Sequence, residues 1–296
     1  FLVKVSVIIP AHNAESYIKQ CMDSVLSQTF NDYEVICIDD NSSDRTFDIL
    51  GEYSKKDLRI VVLKNEKNLK AGRTRNRGID LANGEFILFL DADDWLVPEA
   101  LEKMLTLSEP QKLDMLMFQA TCYSEIKKGM TEVDYYLLNN LKNVPEKVAY
   151  QWKKGIPLLF TCVVPWNKLY RKDFLNLQKL RFPEDVYYED TPFFYETYLK
   201  AKKIAILREK LVVHRIDLSS SMTGSKGEKV FDFFRIYDLI EAIIKEEKIW
   251  SSVDIEFYIY KISLLRQWQF EITDPDIQKK YRARLKEEFV KMNLNC

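Results

Sequence analysis

Apolar positions in the first third of the chain follow two alternating patterns. Short runs such as Val5 to Ile9 (VSVII) are rich in β-branched residues, and this first run predicts a strand that Pro10 ends. Between such runs, apolar residues recur three and four positions apart, which predicts helices with one buried face. Because the strands are apolar throughout and single helices separate them, they predict a mostly parallel sheet with helices on both faces. The predicted strands are residues 5–9, 33–38, 60–63 and 86–90.

Polar residues mark where the predicted helices begin. Asn13 is predicted to cap a helix that carries the apolar residues from Tyr17 to Leu26, and Asp44 to cap the helix after the second strand. A third helix is predicted to run through Arg75 to Leu81, and Pro98 to open a fourth.

Beyond about Ser108 the pattern is less regular. The residues from Leu218 to Gly227 (LSSSMTGSKG) predict a loop by composition, and the polar, aromatic stretch 131–150 predicts no definite element. The other predicted elements are strands at 113–119, 204–207 and 211–213, a helix at 191–203, and a mostly helical region at 228–296.

Composition and charge exclude several classes of protein. Of the 296 residues, 47% are hydrophobic and 30% charged, as expected for a globular protein rather than a disordered one. A formal net charge of −1 gives no general attraction to nucleic acid, so we expect no nucleic-acid partner. No apolar run reaches the roughly 20 residues of a membrane-spanning helix, and the first ten residues lack the charged head of a signal peptide.

The cysteines are odd in number and show no close metal-ligand pairing, which predicts reduced, structural thiols and a cytoplasmic location. They are Cys21, Cys37, Cys122, Cys162 and Cys296.

Acidic residues directly follow two of the predicted parallel strands. Asp39-Asp40 follows the second strand, and Asp91-Ala92-Asp93-Asp94 follows the fourth. In an open parallel sheet, ligands bind beyond the carboxyl ends of the strands. Carboxylates gathered there would raise each other's pKa, and a divalent cation removes that conflict. Because Mg²⁺ takes one or two carboxylates and leaves positions for substrate phosphates, the acids predict a metal–diphosphate site. The alternative is that they are helix caps and loop acids.

Missing motifs narrow the class of phosphate ligand. The first strand is not followed by Gly-x-Gly-x-x-Gly, which disfavours an ordinary dinucleotide fold, and the P-loop motif is absent too. Two histidines, His12 and His214, are too few for a histidine-rich zinc site. Glycoside hydrolysis needs two carboxylates astride one bond and gives no reason for acids at two strand ends.

Three segments in this order resemble family 2 glycosyltransferases, which are inverting enzymes of the GT-A fold. The segments are 5–13 (VSVIIPAHN), 38–44 (IDDNSSD) and 89–95 (FLDADDW), and the resemblance extends from about Lys4 to Thr223. It implies an α/β fold of GT-A type: a Rossmann-like, mostly parallel sheet flanked by helices, with a C-terminal helical segment. It divides the chain into a nucleotide-sugar-binding half (1–107), an acceptor-side half of the same domain (108–225) and a helical extension (226–296).

The activity implied by this resemblance is metal-dependent transfer of one sugar, with inversion, from a nucleotide-diphosphate sugar to an acceptor hydroxyl. Mn²⁺ or Mg²⁺ is the expected cofactor. A UDP-sugar is the favoured donor because Asp40 resembles a position that contacts uracil. The expected acceptor is a saccharide or lipid-linked saccharide in surface polysaccharide or glycolipid assembly. The Gln-x-x-Arg-Trp motif of polymerising relatives is missing, and Arg266-Gln267-Trp268 has similar letters in another order, so non-processive transfer is favoured.

The resemblance also assigns donor-side roles to single residues. The backbone of Pro10 and the side chain of Asn13 line the nucleotide pocket, and Asp40 contacts the base. Asp91 lies near the ribose and the metal, and Asp93 is a direct metal ligand.

A second donor-side segment departs from the family's pattern. Asn68, Arg75 and Asn76 match a segment usually written Asn-x-Gly followed by Ala-Arg-Asn, but Lys70 replaces the Gly and Thr74 the Ala. The resemblance implies donor binding for Asn68 and Arg75, and a surface salt bridge is the alternative for Arg75.

An inverting transfer needs one carboxylate away from the metal, to take the proton of the acceptor hydroxyl. Asp190 is the best candidate because it precedes a predicted helix, whose N-terminus favours an ionised carboxylate. The resemblance to the family's Glu-Asp motif implies that Asp190 is the general base and Glu189 its support. A helix cap is the alternative for Asp190, and one residue could fill both roles.

Three further residues of the second half match regions near the site in related enzymes. Trp166, in the segment WNKLY, is predicted to shape the acceptor-side wall, with a place in the core as the alternative. His214 and Arg215 precede the serine-rich loop, a region that closes over the diphosphate in related enzymes. Arg215 is therefore expected to bind the donor, and His214 to ligate the metal unless it is structural.

Residues 278–291 (QKKYRARLKEEFVK) form a basic predicted helix, which is either a solvated face or a peripheral contact with membrane lipid. Two other functions stay open. Nucleotidyl transfer would call for a glycine-rich, arginine-containing loop after the first strand, which Pro10 to Asn13 lacks. A catalytically degenerate module that binds a nucleotide sugar is disfavoured by the intact Asp91, Asp93 and Asp190.

Overall fold

The computed structural model describes residues 3–138, 144–151, 162–218 and 227–291, without the side chain of Ser252. The strands are β1 Val5–Ala11, β2 Tyr33–Asp39, β3 Ile60–Lys64, β4 Phe86–Phe89, β5 Trp95–Leu96, β6 Met115–Ser124, β7 Gly129–Thr131, β8 Lys168–Arg171 and β9 Ile204–Ile216. The helices are α1 Ile18–Leu26, α2 Thr46–Ser54, α3 Lys70–Leu81, α4 Ala100–Gln111, α5 Lys172–Leu177, α6 Asp190–Lys200, α7 Asp232–Glu246, α8 Trp250–Glu271 and α9 Pro275–Lys291.

The nine strands of the described residues form one sheet in the order β3-β2-β1-β4-β8-β6-β9-β5, with β7 paired to β6. The part from β3 to β4 is parallel, as the alternation of strands and helices predicts. β8 then runs antiparallel to both β4 and β6, and β6 is parallel to β9. The predicted α/β fold with a helical C-terminal segment is confirmed.

The central strand β1 shows why its sequence is apolar throughout. It lies between β2 and β4, and Val5, Val7, Ile8 and Ile9 are fully buried. The prediction that Pro10 ends the strand is wrong, because β1 continues to Ala11 and Pro10 pairs with Ile38 of β2. The pairing with β4 has already ended at Ile8, so the missing N–H of proline interrupts no ladder on that side.

Neither predicted helix cap occupies the N-cap position, which is Arg45 in α2 and Tyr17 in α1. Asp44 accepts a hydrogen bond at 2.9 Å from the backbone N–H of Thr46, the first residue of α2. Asn13 does not cap α1, whose N-cap position is Tyr17. Its backbone is left-handed with φ of 50°, and its Oδ1 accepts from the N–H of Ser43 at 2.9 Å.

Several predicted boundaries in the second half change. The two short strands predicted at 204–207 and 211–213 are one strand, β9, with an irregular register against β6 between Phe118 and Ala120. The predicted helix at 191–203 spans Asp190–Lys200. Most of the predicted loop at 218–227 and part of the unassigned stretch 131–150 lie outside the described residues.

The chain divides into two compact units. The sheet unit comprises Phe1–Asp185 and Glu189–Asp217, and the helical unit comprises Val186–Tyr188 and Leu218–Cys296. The predicted division of the chain into residues 1–107, 108–225 and 226–296 stays a prediction. Within the helical unit, Lys261 of α8 and Glu288 of α9 form a buried ion pair at 2.6 Å.

Two predictions from composition can be compared with the described residues. No described helix is long and apolar enough to cross a membrane. Four of the cysteines, Cys21, Cys37, Cys122 and Cys162, are buried and form no disulfide, whereas Cys296 lies outside the described part of the chain.

Candidate active site

The sheet brings the two acidic segments to one edge. The N–H of Asp40, just beyond β2, donates to the carbonyl of Ala11 at 2.7 Å, and the N–H of Leu90, just beyond β4, donates to the carbonyl of Ile8 at 3.0 Å. Because β2 and β4 flank β1 on opposite sides and run parallel to it, both segments leave the sheet at the carboxyl end.

Asp40 is held rigidly at this edge. It is 4% exposed, and its Oδ1 accepts hydrogen bonds from Asn65 Nδ2 at 2.6 Å and from the backbone N–H of Leu69 at 2.8 Å. Its carbonyl oxygen lies 2.9 Å from His12 Nδ1. Asn68 approaches the same histidine, with its Nδ2 3.4 Å from the imidazole nitrogens. Asp40, Asn68 and the end of β1 therefore lie together.

Lys70, at the first departure from the family's pattern, adopts a backbone conformation that suits glycine. Lys70 adopts a left-handed conformation with φ of 65°, which glycine adopts without steric cost. Thr74, at the other departure, is fully buried and accepts from Asn65 Nδ2 at 3.1 Å.

Arg75 joins the donor-side acids to the predicted base. It is 4% exposed, so the surface salt bridge is excluded. Its Nη2 donates to Asp91 Oδ1 at 2.9 Å, while its Nη1 donates to Glu189 Oε1 at 2.8 Å and to Asp190 Oδ1 at 2.9 Å. We call these four residues the Arg75 cluster. Bonds between ionised groups are the stronger class of hydrogen bond, and one planar guanidinium fixes the three carboxylates relative to each other.

The Arg75 cluster shifts the pKa of Asp190. Burial, together with the charges of Glu189 and Asp91, raises this pKa to about 7 against the opposing effect of Arg75. Asp190 is the first residue of α6, and its side chain is 26% exposed. A carboxyl group that loses its proton near neutral pH and still reaches solvent has the properties of a general base.

Helix α3 also fixes the segment that leads to Asp190. Asn76 accepts from the N–H of Phe182 at 2.8 Å and donates to its carbonyl at 2.9 Å. Gly72 allows the close approach of the same segment: a Cβ there would lie 2.8 Å from the carbonyl oxygen of Pro183 and 2.9 Å from Glu189 Cγ. The glycine is therefore required for packing.

Replacing Gly72 with alanine is expected to lower the free energy of unfolding by about 1–3 kcal/mol, because the added methyl group must displace backbone as well as Glu189. Urea unfolding measures the change. Gly51 of α2 is the matched control, since nothing lies within 4 Å of its Cβ position and alanine favours a helix by about 0.5–1 kcal/mol. Equal destabilisation by both substitutions would contradict the close approach at Gly72.

The second cluster consists of Asp91, Asp93 and Asp94. One carboxylate oxygen from each lies within 4.8 Å of the others. Burial, together with the charges of Asp94 and Asp91, raises the pKa of Asp93 to about 7, and His214 opposes the rise. A divalent cation would remove this repulsion, and carboxylate oxygens are the ligands that Mg²⁺ and Mn²⁺ prefer. The donor set therefore fits the predicted metal.

His214 lies beside this cluster through Asp94. Its Nδ1 is 2.9 Å from Asp94 Oδ1, and its ring stacks on Trp166 with the centroids 4.7 Å apart. Burial lowers the pKa of His214, but Asp94 and Asp93 raise it more, so the net shift is upward. Pairing of Nδ1 with a carboxylate leaves Nε2 as the nitrogen that can bind a cation, an arrangement common among metal-binding histidines.

Arg215 supports the loop that carries Asp93. Its N–H donates to Asp94 Oδ1 at 2.9 Å and its Nε donates to the carbonyl of Asp93 at 3.0 Å. The remaining guanidinium nitrogens bond to Glu125 and Gln20. These contacts orient the metal-side loop, and donor binding by Arg215 stays a prediction.

Trp166 is 2% exposed and belongs to the hydrophobic core. His214 covers one side of its ring, and Tyr136 lies against it with the centroids 5.1 Å apart. The core position, which the sequence left open, is therefore observed, and its role toward an acceptor stays a prediction.

Sequence reasoning missed the partners of the predicted residues. The acidic run 91–94 predicts no partner for Asp94, which is fully buried and pairs with His214. Its place in an acidic run was the available signal. Asn65, which binds Asp40, carries no signal in a single sequence, because asparagine before a helix is common in loops.

The acidic residues at the sheet edge and the Glu189-Asp190 pair are typical of the glycosyltransferase family that the sequence resembles. Comparison with known proteins identifies the same family. The profile of Glycosyl transferase family 2 matches residues 6–176, which is more than half of the chain. The chain belongs to this family.

The particular relatives are bacterial. The chain is 29% identical to EpsH of Bacillus subtilis (strain 168), named as a glycosyltransferase, over 90% of this chain and 77% of that protein. It is 34% identical to the poly(ribitol-phosphate) beta-glucosyltransferase of Bacillus spizizenii over 69% of this chain, but it spans 31% of that protein. A crystal structure of Staphylococcus aureus TarS residues 1–349 with UDP matches 81% of this chain and 65% of that chain, with a TM-score of 0.66 and 26% identity.

Proposed function

We propose that the chain transfers one sugar, with inversion, from a UDP-sugar to the hydroxyl of a saccharide or lipid-linked saccharide acceptor. The observation that carries this proposal is the Arg75 cluster, in which one buried guanidinium joins Asp91 to Glu189 and Asp190. A transferase of this kind needs a carboxylate for the cation that binds the diphosphate and a separate base at fixed separation, and the cluster supplies both.

Asp40 is proposed to recognise the base of the nucleotide. Asn65 and the N–H of Leu69 hold one carboxylate oxygen, so the carboxylate has a fixed direction and its second oxygen can accept from the uracil ring. The backbone of Pro10 and the side chains of Asn13 and Asn68 are proposed to line the same pocket. The structure of TarS with UDP, at 26% identity, supports UDP as the carrier.

Asp91 and Asp93 are proposed to hold a divalent cation, Mn²⁺ or Mg²⁺, with Nε2 of His214 as a further ligand. When bound, the cation stabilises the negative charge that the leaving diphosphate gains. Asp94 holds the imidazole of His214, and Arg215 holds the backbone of Asp93, so these two residues keep the ligands in place.

Asp190 is proposed to take the proton of the acceptor hydroxyl while that oxygen attacks the anomeric carbon on the face opposite the diphosphate. Its position at the start of α6 favours the ionised form, and a pKa of about 7 leaves it largely ionised just above neutral pH. Glu189 is 3% exposed and supports the base by sharing Nη1 of Arg75.

The pH dependence of turnover tests the role of Arg75. In the wild type, kcat/KM is expected to rise with pH through about 7, because a base acts only after it loses its proton. Arg75→Met removes the positive charge that lowers the pKa of Asp190, so the rising limb is expected to move to higher pH. Arg75→Lys retains the positive charge but loses the planar guanidinium group. We therefore expect kcat to fall while the rising part of the pH profile stays closer to its wild-type pH.

Arg73→Met is the matched control for charge loss on α3. Arg73 is half-exposed and pairs with Glu184 at 2.6 Å, outside the Arg75 cluster. Its pH profile is expected to match the wild type. If the rising part of the kcat/KM profile of Arg75→Met stayed at its wild-type pH, the coupling of Arg75 to the base would be contradicted.

The acceptor and the setting of the reaction are proposed from relatives. The Bacillus spizizenii relative is named for a poly(ribitol-phosphate) acceptor, which supports a polyol-phosphate or polysaccharide of the cell surface. Non-processive transfer, a cytoplasmic location and peripheral membrane contact stay predictions.

A screen of donors tests the proposal as a whole. Thermal shift with Mn²⁺ and each of several UDP-sugars, GDP-mannose and a CMP-sugar should show one stabilised complex, since a ligand that binds only the folded state raises its stability. Nucleotide release should then occur with the same donor. Stabilisation by a nucleotide sugar without release in the presence of any saccharide or polyol-phosphate acceptor would indicate the degenerate binding module.

A further inference from the structure

The three residues before Glu189 pack within the helical unit. Val186–Tyr188 belongs to that unit, and Glu189 returns to the sheet unit. The N–H of Tyr187 donates to Oδ2 of Asp232, the first residue of α7, at 2.8 Å. Nζ of Lys229 lies 4.7 Å from the centre of the Tyr187 ring. The segment directly before the predicted catalytic pair is therefore anchored by Asp232 and Lys229.

Aromatic stacking completes this anchor. The ring of Tyr188 stacks on Phe233 of α7, with centroids 4.1 Å apart and planes inclined by 19°. Phe233 stacks in turn on Trp268 of α8, with centroids 4.7 Å apart. The hydroxyl of Tyr188 is buried without a hydrogen-bond partner among the described residues, so the ring, and not the hydroxyl, holds this residue in place.

The backbone of Tyr188 is strained. Its φ is 64°, in the left-handed region that bulky side chains rarely adopt. Such a conformation persists only where the surrounding contacts enforce it, and it is concentrated at functional sites. Two contacts enforce it here: the stack of the Tyr188 ring on Phe233, and the hydrogen bond from the N–H of Tyr187 to Asp232.

We propose that Tyr188 is a positioning residue for the general base, and that Phe233 and Trp268 act through the ring of Tyr188. The stack fixes the backbone of Tyr188, and Asp190 follows two residues later, so a change in the direction of the chain at Tyr188 displaces the carboxylate. A displacement of about 1 Å in a reacting group can lower the rate by about a hundredfold. This inference rests on the proposed role of Asp190.

Two substitutions test the stack without adding backbone strain. Tyr188→Gly adopts the left-handed conformation freely and loses the ring, and Trp268→Ala removes the far end of the stack. Both are expected to lower kcat by about ten- to a hundredfold, with the Kd for UDP unchanged, because the residues proposed to bind the donor lie elsewhere. Tyr188→Phe keeps the ring and should retain wild-type kcat, and Trp268→Phe should restore most of the loss.

Trp250→Ala is the matched control. Trp250 lies in the same unit, outside the stack of Tyr188, Phe233 and Trp268, and packs edge-on to Phe257 with centroids 5.8 Å apart. Its kcat is expected to stay at the wild-type value. If Tyr188→Gly and Trp268→Ala turned over at the wild-type rate, or no more slowly than Trp250→Ala, the positioning role would be overturned. The proposed function would fail separately, through undiminished turnover in Asp190→Asn.

Discussion

Asp190→Asn is expected to lower kcat by about 10²–10⁴-fold, the usual contribution of a positioned general base. The amide keeps the size and the hydrogen-bonding oxygen of the carboxylate, so Arg75 can still bind it, but it cannot accept the acceptor's proton. The Kd for UDP should stay near that of the wild type. Nucleotide release in the presence of acceptor, followed over a range of pH, measures both the loss and the disappearance of the rising limb near pH 7.

Two neighbouring carboxylates serve as controls for this result. Glu189→Gln should have a smaller effect on kcat, because Glu189 is buried and acts through Arg75. Asp185→Asn should have none, because that side chain is 68% exposed and pairs only weakly with Arg73, at 3.4 Å. Turnover of Asp190→Asn at the level of Asp185→Asn would exclude Asp190 as the base.

Asp93→Ala is expected to abolish metal-dependent turnover, with a loss of several kcal/mol of transition-state stabilisation, or about 10²–10⁴-fold in kcat/KM. A second effect has the opposite direction. Without metal, the variant should unfold at a higher temperature than the wild type, because it lacks a carboxylate whose pKa burial and its neighbours raise to about 7. Thermal unfolding with and without Mn²⁺ measures this, and the stabilisation by Mn²⁺ should vanish.

The supporting residue Asp94 gives a graded comparison. Asp94→Asn leaves Asp93 intact but weakens the hold on His214, and groups in this position typically change metal affinity by about 10–100-fold. The concentration of Mn²⁺ needed for half-maximal turnover should rise by that factor, while kcat at saturating metal stays closer to the wild type. A metal requirement that is unchanged in both variants would refute the proposed cation site.

The parallel pairing of the first strands and the location of the site could be predicted because both follow from local patterns. The run from Val5 to Ile9 is apolar throughout, as a strand buried on both faces must be, and the helices between the strands require parallel pairing. Parallel strands share a carboxyl edge, so Asp40 and Asp91 lie at the same edge of the sheet. Helix-breaking residues were less informative: Pro10 continues a strand, and Asn13 binds a loop instead of capping α1.

The contacts that make these acids a site are long-range, and no local pattern predicts them. Arg75 was equally compatible with an exposed salt bridge, and its role depends on partners 114 and 115 residues further along the chain. His214 and Asp94 are 120 residues apart, so only the pairing of β9 with β5 and β6 could bring them together.

The sequence by itself determined which residues follow buried parallel strands, and with them the family, the acidic edge and the Glu189-Asp190 pair. Tertiary structure alone decided which charges pair, which of them are buried and how far the pKa values of Asp93 and Asp190 rise. The physical reason is the distance along the chain over which each kind of interaction acts. Strand and helix patterns act over a few residues, whereas desolvation and Coulomb interactions depend on distances that exist only after the chain has folded.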